Sequence, residues 1–243
     1  MATNAVCPFS VFLFTTSAVL FTYNRRKKIS EMSESTKAVP PPPVFQVVFV
    51  LGGPGAGKGT QCELLTTNHP NWTHLSAGDL LRAERKSNSP LATLINDKIS
   101  MGQIVPASIT VNLLKNAMTH AYSQNTNHTK FLIDGFPRSE DNVSVWKEVM
   151  EGVTQLEFVL FLDCPEDVMT GRLLERGKTS GRNDDNLETI RKRFVTFREE
   201  SLPIVRMYEK EDGGQTTGMV KHIRADRSAE DIYQEVEALF IGL

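Results

Sequence analysis

The chain has 243 residues, 40% hydrophobic and 23% charged, with a formal net charge of −2. That is the composition of one large or two small globular domains, and it excludes wholesale disorder, a fibrous repeat and a polytopic membrane protein. With no surplus of Lys and Arg to neutralise a phosphate backbone, a nucleic-acid partner is not expected either.

The first 43 residues differ from the rest. Met1 to Asn24 carries no charge, Val11–Phe21 is mostly apolar, and Arg25-Arg26-Lys27-Lys28 follows at once. A polar stretch, Ser30–Lys37, leads into Pro40-Pro41-Pro42-Pro43, which favours extended polyproline II and cannot continue a helix. Residues 1–43 are therefore read as a leader and linker outside the fold, and 44–243 as the folded domain. The leader admits three readings. Residues 5–28 could contact or anchor in a membrane, although the apolar stretch is short of the roughly 20 residues a span needs; the basic cluster and the domain would then stay cytosolic. It could be an acid-poor organelle leader, or a plain extension with Met32 as a second start. Cys7, Cys62 and Cys164 are far apart and odd in number, which fits neither a disulfide framework nor a zinc spacing. A reducing compartment follows, cytoplasmic or also nuclear, unless the leader redirects the chain.

The body opens on Phe45–Leu51, a β-branched and aromatic run suited to a buried strand. Helical spacing follows from Lys58 to about Thr67, and again at Leu113, Leu114, Ala117 and Met118. Phe131–Asp134 and Phe158–Asp163 are buried strands that each end in Asp. A long helical pattern runs from Leu187 to Tyr208, with a kink expected at Pro203. Met219–Ile223 is a weaker last strand, and Ser228 is placed to cap a final helix through about Phe240. Strands alternating with helices predict an α/β fold with a parallel sheet covered on both faces, and ligands beyond the carboxyl ends of its strands.

Gly52-Gly53-Pro54-Gly55-Ala56-Gly57-Lys58-Gly59-Thr60 follows the first strand and opens a helix. This is the phosphate-loop spacing in its strand–loop–helix context. Glycines let backbone N–H groups converge on phosphate oxygens, the helix N-terminus adds partial positive charge, and Lys58 supplies a point charge. Gly59 stands where such loops usually place a metal-binding hydroxyl, and the hydroxyl comes at Thr60 instead. Asp134, ending a strand beside the loop, can hold waters on Mg²⁺, with helix capping the competing role. The loop alone specifies phosphate binding and no particular reaction.

Three further segments narrow the reading. They are Leu75-Ser76-Ala77-Gly78-Asp79-Leu80-Leu81-Arg82; Asp134-Gly135-Phe136-Pro137-Arg138 with Asn142; and Arg176-Gly177-Lys178-Thr179-Ser180-Gly181-Arg182-Asn183-Asp184-Asp185, with Arg193 one helical stretch on. Their order and spacing resemble the nucleoside monophosphate kinases and, within them, the eukaryotic UMP-CMP kinases, over about residues 46–240. The resemblance implies a P-loop three-layer fold with a five-stranded parallel sheet, a mobile monophosphate-binding flap over 79–106 and a short lid over 177–187. It implies ATP as phosphoryl donor, Mg²⁺ held through water near Thr60 and Asp134, and UMP, CMP and dCMP as acceptors. It implies a monomer whose partners are these small nucleotides.

By the same resemblance, Gly55 to Thr60 cradle the donor phosphates. Arg176 lies over the adenine and phosphates, and the backbone at Arg227 touches the donor base. Arg82 and Arg138 hold the acceptor phosphate; Arg182 and Arg193 reach the transferring group. Gln103, Ile104 and Val105 contact the acceptor nucleoside, alongside Gly135, Phe136 and Pro137. Lys58, Asp134, Arg138, Arg182 and Arg193 are the catalytic set. The physical logic agrees: phosphoryl transfer between two nucleotides crowds negative charge, and arginine forks hold it without deprotonating. Arg176 and Arg193 could otherwise be ordinary ion-paired helix residues. Ala77 and Asn142 favour a pyrimidine over adenine, since adenylate kinases carry Thr and Gln at those positions. Gly177 and Gly181 are expected to serve as lid hinges. A short-lid adenylate kinase and a non-catalytic, membrane-tethered nucleotide-binding protein remain the alternatives.

Overall fold

Residue alternation sorts the sheet into two faces. In the strand Phe45–Gly52 (β1), Val48 and Val50 belong to one apolar cluster, while Phe45, Val47, Phe49 and Leu51 belong to the other. The strands Lys130–Asp134 (β3) and Thr154–Asp163 (β4) divide in the same way, Leu132 and Leu160 to the first face, Ile133 and Val159 to the second. That is the period of two expected when both faces of a strand are buried. Chain and sheet are described here from a computed structural model covering residues 43–87, 89–180, 185–210 and 218–243. The leader through Pro42, Arg182 and Gly181 therefore lie outside the described residues.

The sheet has five parallel strands in the order β2-β3-β1-β4-β5, where β2 is Trp72–Ser76 and β5 is Val220–Arg224. No local signal located β2: His74 and Ser76 interrupt an apolar run, and only Trp72 and Leu75 suggest a strand. Register aligns Ser76 with Asp134 and Asp134 with Val50, so the carboxyl ends of β2, β3 and β1 meet at one edge.

Helix Lys58–Asn68 (α1) follows the phosphate loop. Ala77–Lys86 (α2) and Ala92–Ser100 (α3) make the flap, whose own small core is Leu81, Ile95 and Val105. Ala107–Gln124 (α4) and Glu140–Met150 (α5) cover the second face through Leu114, Met118, Trp146 and Met150. Glu166–Gly177 (α6) and Ala229–Ala238 (α9) cover the first through Met169, Leu173, Ile232 and Val236. Ser228 caps α9 as expected, its hydroxyl accepting from the Asp231 amide.

Leu187–Thr196 (α7) and Leu202–Glu209 (α8) are separated by a π-helical turn, Phe197–Ser201. The break therefore begins upstream of Pro203, which sits in the first turn of α8, where its missing N–H costs nothing. Among the described residues no helix is long and apolar enough to cross a membrane.

Candidate active site

The phosphate loop turns back over α6. Gly55 has φ of +88°, and a Cβ there would lie 2.7 Å from the Met169 carbonyl oxygen, so both the backbone conformation and the space demand glycine. Lys58 Nζ donates to the carbonyl oxygens of Gly52 and Gly53 at 2.9 Å each. Burial pulls its ammonium pKa down to about 8, with the Asp134 carboxylate opposing the fall. Burial works against charge on Asp134 too, yet the neighbouring His74, Lys58 and Arg138 outweigh it and hold the carboxyl below its usual value. His74 Nε2 is 3.7 Å from Asp134 Oδ2, close enough for ion pairing and too long for a hydrogen bond.

One cavity of about 450 Å³ gathers Lys58, Arg82, Arg138, Arg172, Arg176 and Arg193 against only three carboxylates, Glu63, Asp79 and Asp134. Gly55, Gly57, Gly59 and Thr60 line it as well. A surplus of three cationic side chains in one enclosed space suits a polyanion. Ala56 is fully buried beneath the loop.

The arginines are held by protein groups. Arg82 pairs with Asp79 one turn earlier. Arg138 Nε donates to the Gly135 carbonyl at 2.6 Å. Asp185, whose side chain is wholly buried, accepts two bonds from Arg176 at 2.7 Å and one from Arg193 at 3.2 Å. Both arginines thus form the ion pair weighed against their functional role, and both still face the cavity. A Cβ on Gly177 would sit 2.9 Å from the Asp185 carbonyl oxygen. That glycine makes room for the chain at Asp185 to cross the end of α6.

A smaller pocket of about 70 Å³ adjoins that cavity, lined by Ala77, Arg82, Gln103, Ile104, Val105, Thr110, Gly135, Phe136, Arg138, Asn142 and Arg193. Pro137 lines the adjoining pocket, again with Arg138 and Arg193. The Ser139 hydroxyl caps α5 by accepting from the Asn142 amide, and Asn142 Oδ1 accepts from the Arg138 amide at 3.1 Å. Asn142 Nδ2 is buried with no hydrogen-bond partner. Gln103 Oε1 accepts from Lys98 Nζ at 3.0 Å, and Val105 belongs to the flap core. Gly102 adopts φ of +69°, and a Cβ there would be 3.1 Å from Lys192 Cβ. Its carbonyl accepts from the Thr196 hydroxyl at 2.9 Å, which joins flap to α7.

Arg172 and His74 were absent from the expected set. Arg172 donates to the carbonyls of Ala225 and Arg227 at 2.8 and 3.1 Å, tying α6 to the loop after β5. Its spacing of four from Arg176 on one helix was the available signal. Arg227 lines none of these cavities; its side chain turns to Glu235 and to the Arg224 carbonyl, and only its own carbonyl faces Arg172. Cys62 and Cys164 are free and buried, as expected of small apolar side chains.

The adenylate kinase family model matches residues 50–213. The chain belongs to the adenylate kinase family. Among its curated relatives in that family are a UMP-CMP kinase of Gallus gallus, 48% identical over 195 residues, covering 80% of this chain and 96% of the relative. A uridylate kinase of Saccharomyces cerevisiae is 51% identical over 198 residues, 81% of this chain and 91% of the relative. A UMP-CMP kinase of Homo sapiens is 47% identical over 195 residues, 80% and 96% respectively. The five-stranded parallel α/β sheet is the one that family resemblance implied.

Proposed function

We propose that this adenylate kinase family member transfers the γ-phosphoryl group of ATP to UMP or CMP, with dCMP as a further acceptor. One observation carries the reading. A cavity with a surplus of three cations adjoins a pocket that presents a buried, unpartnered amide donor, Asn142 Nδ2, and is lined also by Ala77. The names of the relatives support the same acceptors.

Gly55 to Thr60 and Lys58 hold the donor phosphates. Arg172 and Arg176 flank the donor, and Arg82 and Arg138 clamp the acceptor phosphate. The acceptor oxygen attacks the γ-phosphorus, the bond to the β,γ-bridging oxygen breaks, and ADP leaves with that electron pair. The acceptor phosphate is already anionic, so no protein base is required. Arg193 and, by the family resemblance, Arg182 neutralise the charge that spreads over the transferring oxygens. The flap over 79–106 and the lid over 177–187 close to keep water out.

The donor set fits Mg²⁺ bound with the nucleotide. Asp134 is kept ionised, and glycine at 59 leaves its Oδ2 3.9 Å from the place a Cβ would take, so water-mediated contact has room. Among the described residues no three His, Cys, Asp or Glu side chains converge as a metal cage. Asp134 and Thr60 would hold the ion through its waters, and it would supply neutralisation of the donor phosphate charge.

The test is ADP release by the full chain with MgATP and UMP, CMP, dCMP, AMP or GMP. Turnover with the pyrimidine nucleotides is expected. Turnover with AMP instead would leave a short-lid adenylate kinase, and none at all from ATP-binding protein would leave a non-catalytic nucleotide binder.

A further inference from the structure

Thr110 lies in the first turns of α4 and is 6% exposed, yet it lines the acceptor pocket. Thr66, Thr67, Thr119, Thr170 and Thr196 return their hydroxyls to the carbonyl four residues earlier at 2.7 to 3.1 Å; Thr60, Thr93 and Thr189, each in the first turn of its helix, do not, and neither does Thr110. The Pro106 carbonyl that it would use accepts the backbone amides of Ile109 and Thr110. Its hydroxyl makes no hydrogen bond among the described residues. A hydroxyl with no partner in the protein, on a residue that lines the pocket, is left to hydrogen-bond whatever enters that pocket.

The chemistry of two acceptor bases supplies the reason. Uracil carries a carbonyl at ring position 4 and cytosine an amino group, so an acceptor in one stands where the other has a donor. Asn142 cannot follow this change, because the Arg138 amide occupies Oδ1 and leaves Nδ2 as a fixed donor. A hydroxyl rotates freely and can donate or accept.

Resting on the acceptor reading above, we propose that the Thr110 hydroxyl is the dual-specificity group. It donates to the position-4 carbonyl of UMP and accepts from the position-4 amino group of CMP, while Asn142 supplies a constant donor to another base acceptor.

The experiment compares full-length wild type, Thr110→Val and Thr110→Ser with UMP, CMP and the 5′-monophosphate of 2-pyrimidinone riboside, which has no group at position 4. Thr110→Val is expected to raise KM for both UMP and CMP by about three- to tenfold, the worth of one neutral hydrogen bond. KM for the analogue and for ATP should stay within about twofold of wild type on the same ground, and Thr110→Ser should restore both pyrimidines. The melting temperature of Thr110→Val should hold or rise, with Thr110→Ala as the substitute if valine disturbs the fold. An equal rise for all three acceptors would mean a packing role and overturn the proposal, as would no rise for any. Wild type that phosphorylates neither UMP nor CMP would overturn the acceptor reading itself, a failure seen before any substitution is made.

Discussion

The phosphate cavity and the acceptor-base pocket share Gly78, Arg82, Arg138 and Arg193, yet they work by different physics. The first recognises charge. Six cations surround a space that any polyphosphate could enter, and the backbone of the loop does the fine positioning. The second recognises the direction of a few neutral atoms. Away from the shared arginines, its wall presents the neutral polar groups of Asn142, Thr110 and Gln103 among apolar side chains such as Leu81, Ile99, Ile104, Val105 and Phe136. On the proposed function, the comparison teaches that chemistry and choice of substrate are separable: the cavity sets the reaction and the pocket sets the acceptor.

Arg138→Ala should strain that division most, because this residue belongs to both sides. A loss of about 10²–10³ in kcat/KM for UMP is expected, seen as a higher KM for UMP together with a lower kcat, since arginine clamps act in the ground and transition states. Steady-state kinetics with unchanged UMP parameters would remove Arg138 from the acceptor site.

Asn142→Gln tests the pocket alone. The longer amide should shift the ratio of kcat/KM for UMP against AMP by about tenfold while leaving KM for ATP near wild type. An unaltered ratio would break the claim that this amide reads the base.

The smallest effect near neutral pH concerns the cavity alone. With the Lys58 ammonium titrating at about 8 in the free protein, its charged form is full below that value and lost above it. The kcat/KM for ATP should therefore fall as pH rises through about 8. Under saturating ATP, the phosphates should hold the proton and move the fall in kcat to higher pH. A profile of kcat/KM that stays flat through pH 8 to 9.5 would show that Lys58 is not the group in control.

The same contrast explains what the sequence disclosed. The cavity was legible because its residues are chemically rare and locally patterned: glycines around Lys58, and arginines at marked positions after strands and helices. Arg172 escaped notice only because it lacks a flanking motif, though its spacing to Arg176 was visible. The base pocket was half legible. Ala77 and Asn142 stood within recognisable segments, whereas Thr110 comes from a separate helix, where nothing local separates it from any other threonine. β2 was lost for a related reason. Its five residues alternate only weakly, and its place in the sheet is set by pairing with β3, a contact made across more than 50 residues of chain. At Gly177 the motif does not disclose the packing demand, because the crossing chain at Asp185 that leaves no room for a side chain comes from eight residues further on.

Arg193 lines all three cavities, and the buried Asp185 that holds it also holds Arg176. A guanidinium common to two ligand sites cannot answer to one alone. Any factor by which a bound acceptor changes the affinity for ATP must reappear, unchanged, as the factor by which ATP changes the affinity for the acceptor. On the proposed function, cooperation between the two substrates passes through the arginines the two sites share, Arg82, Arg138 and Arg193, and its size can be read from either direction of a binding titration.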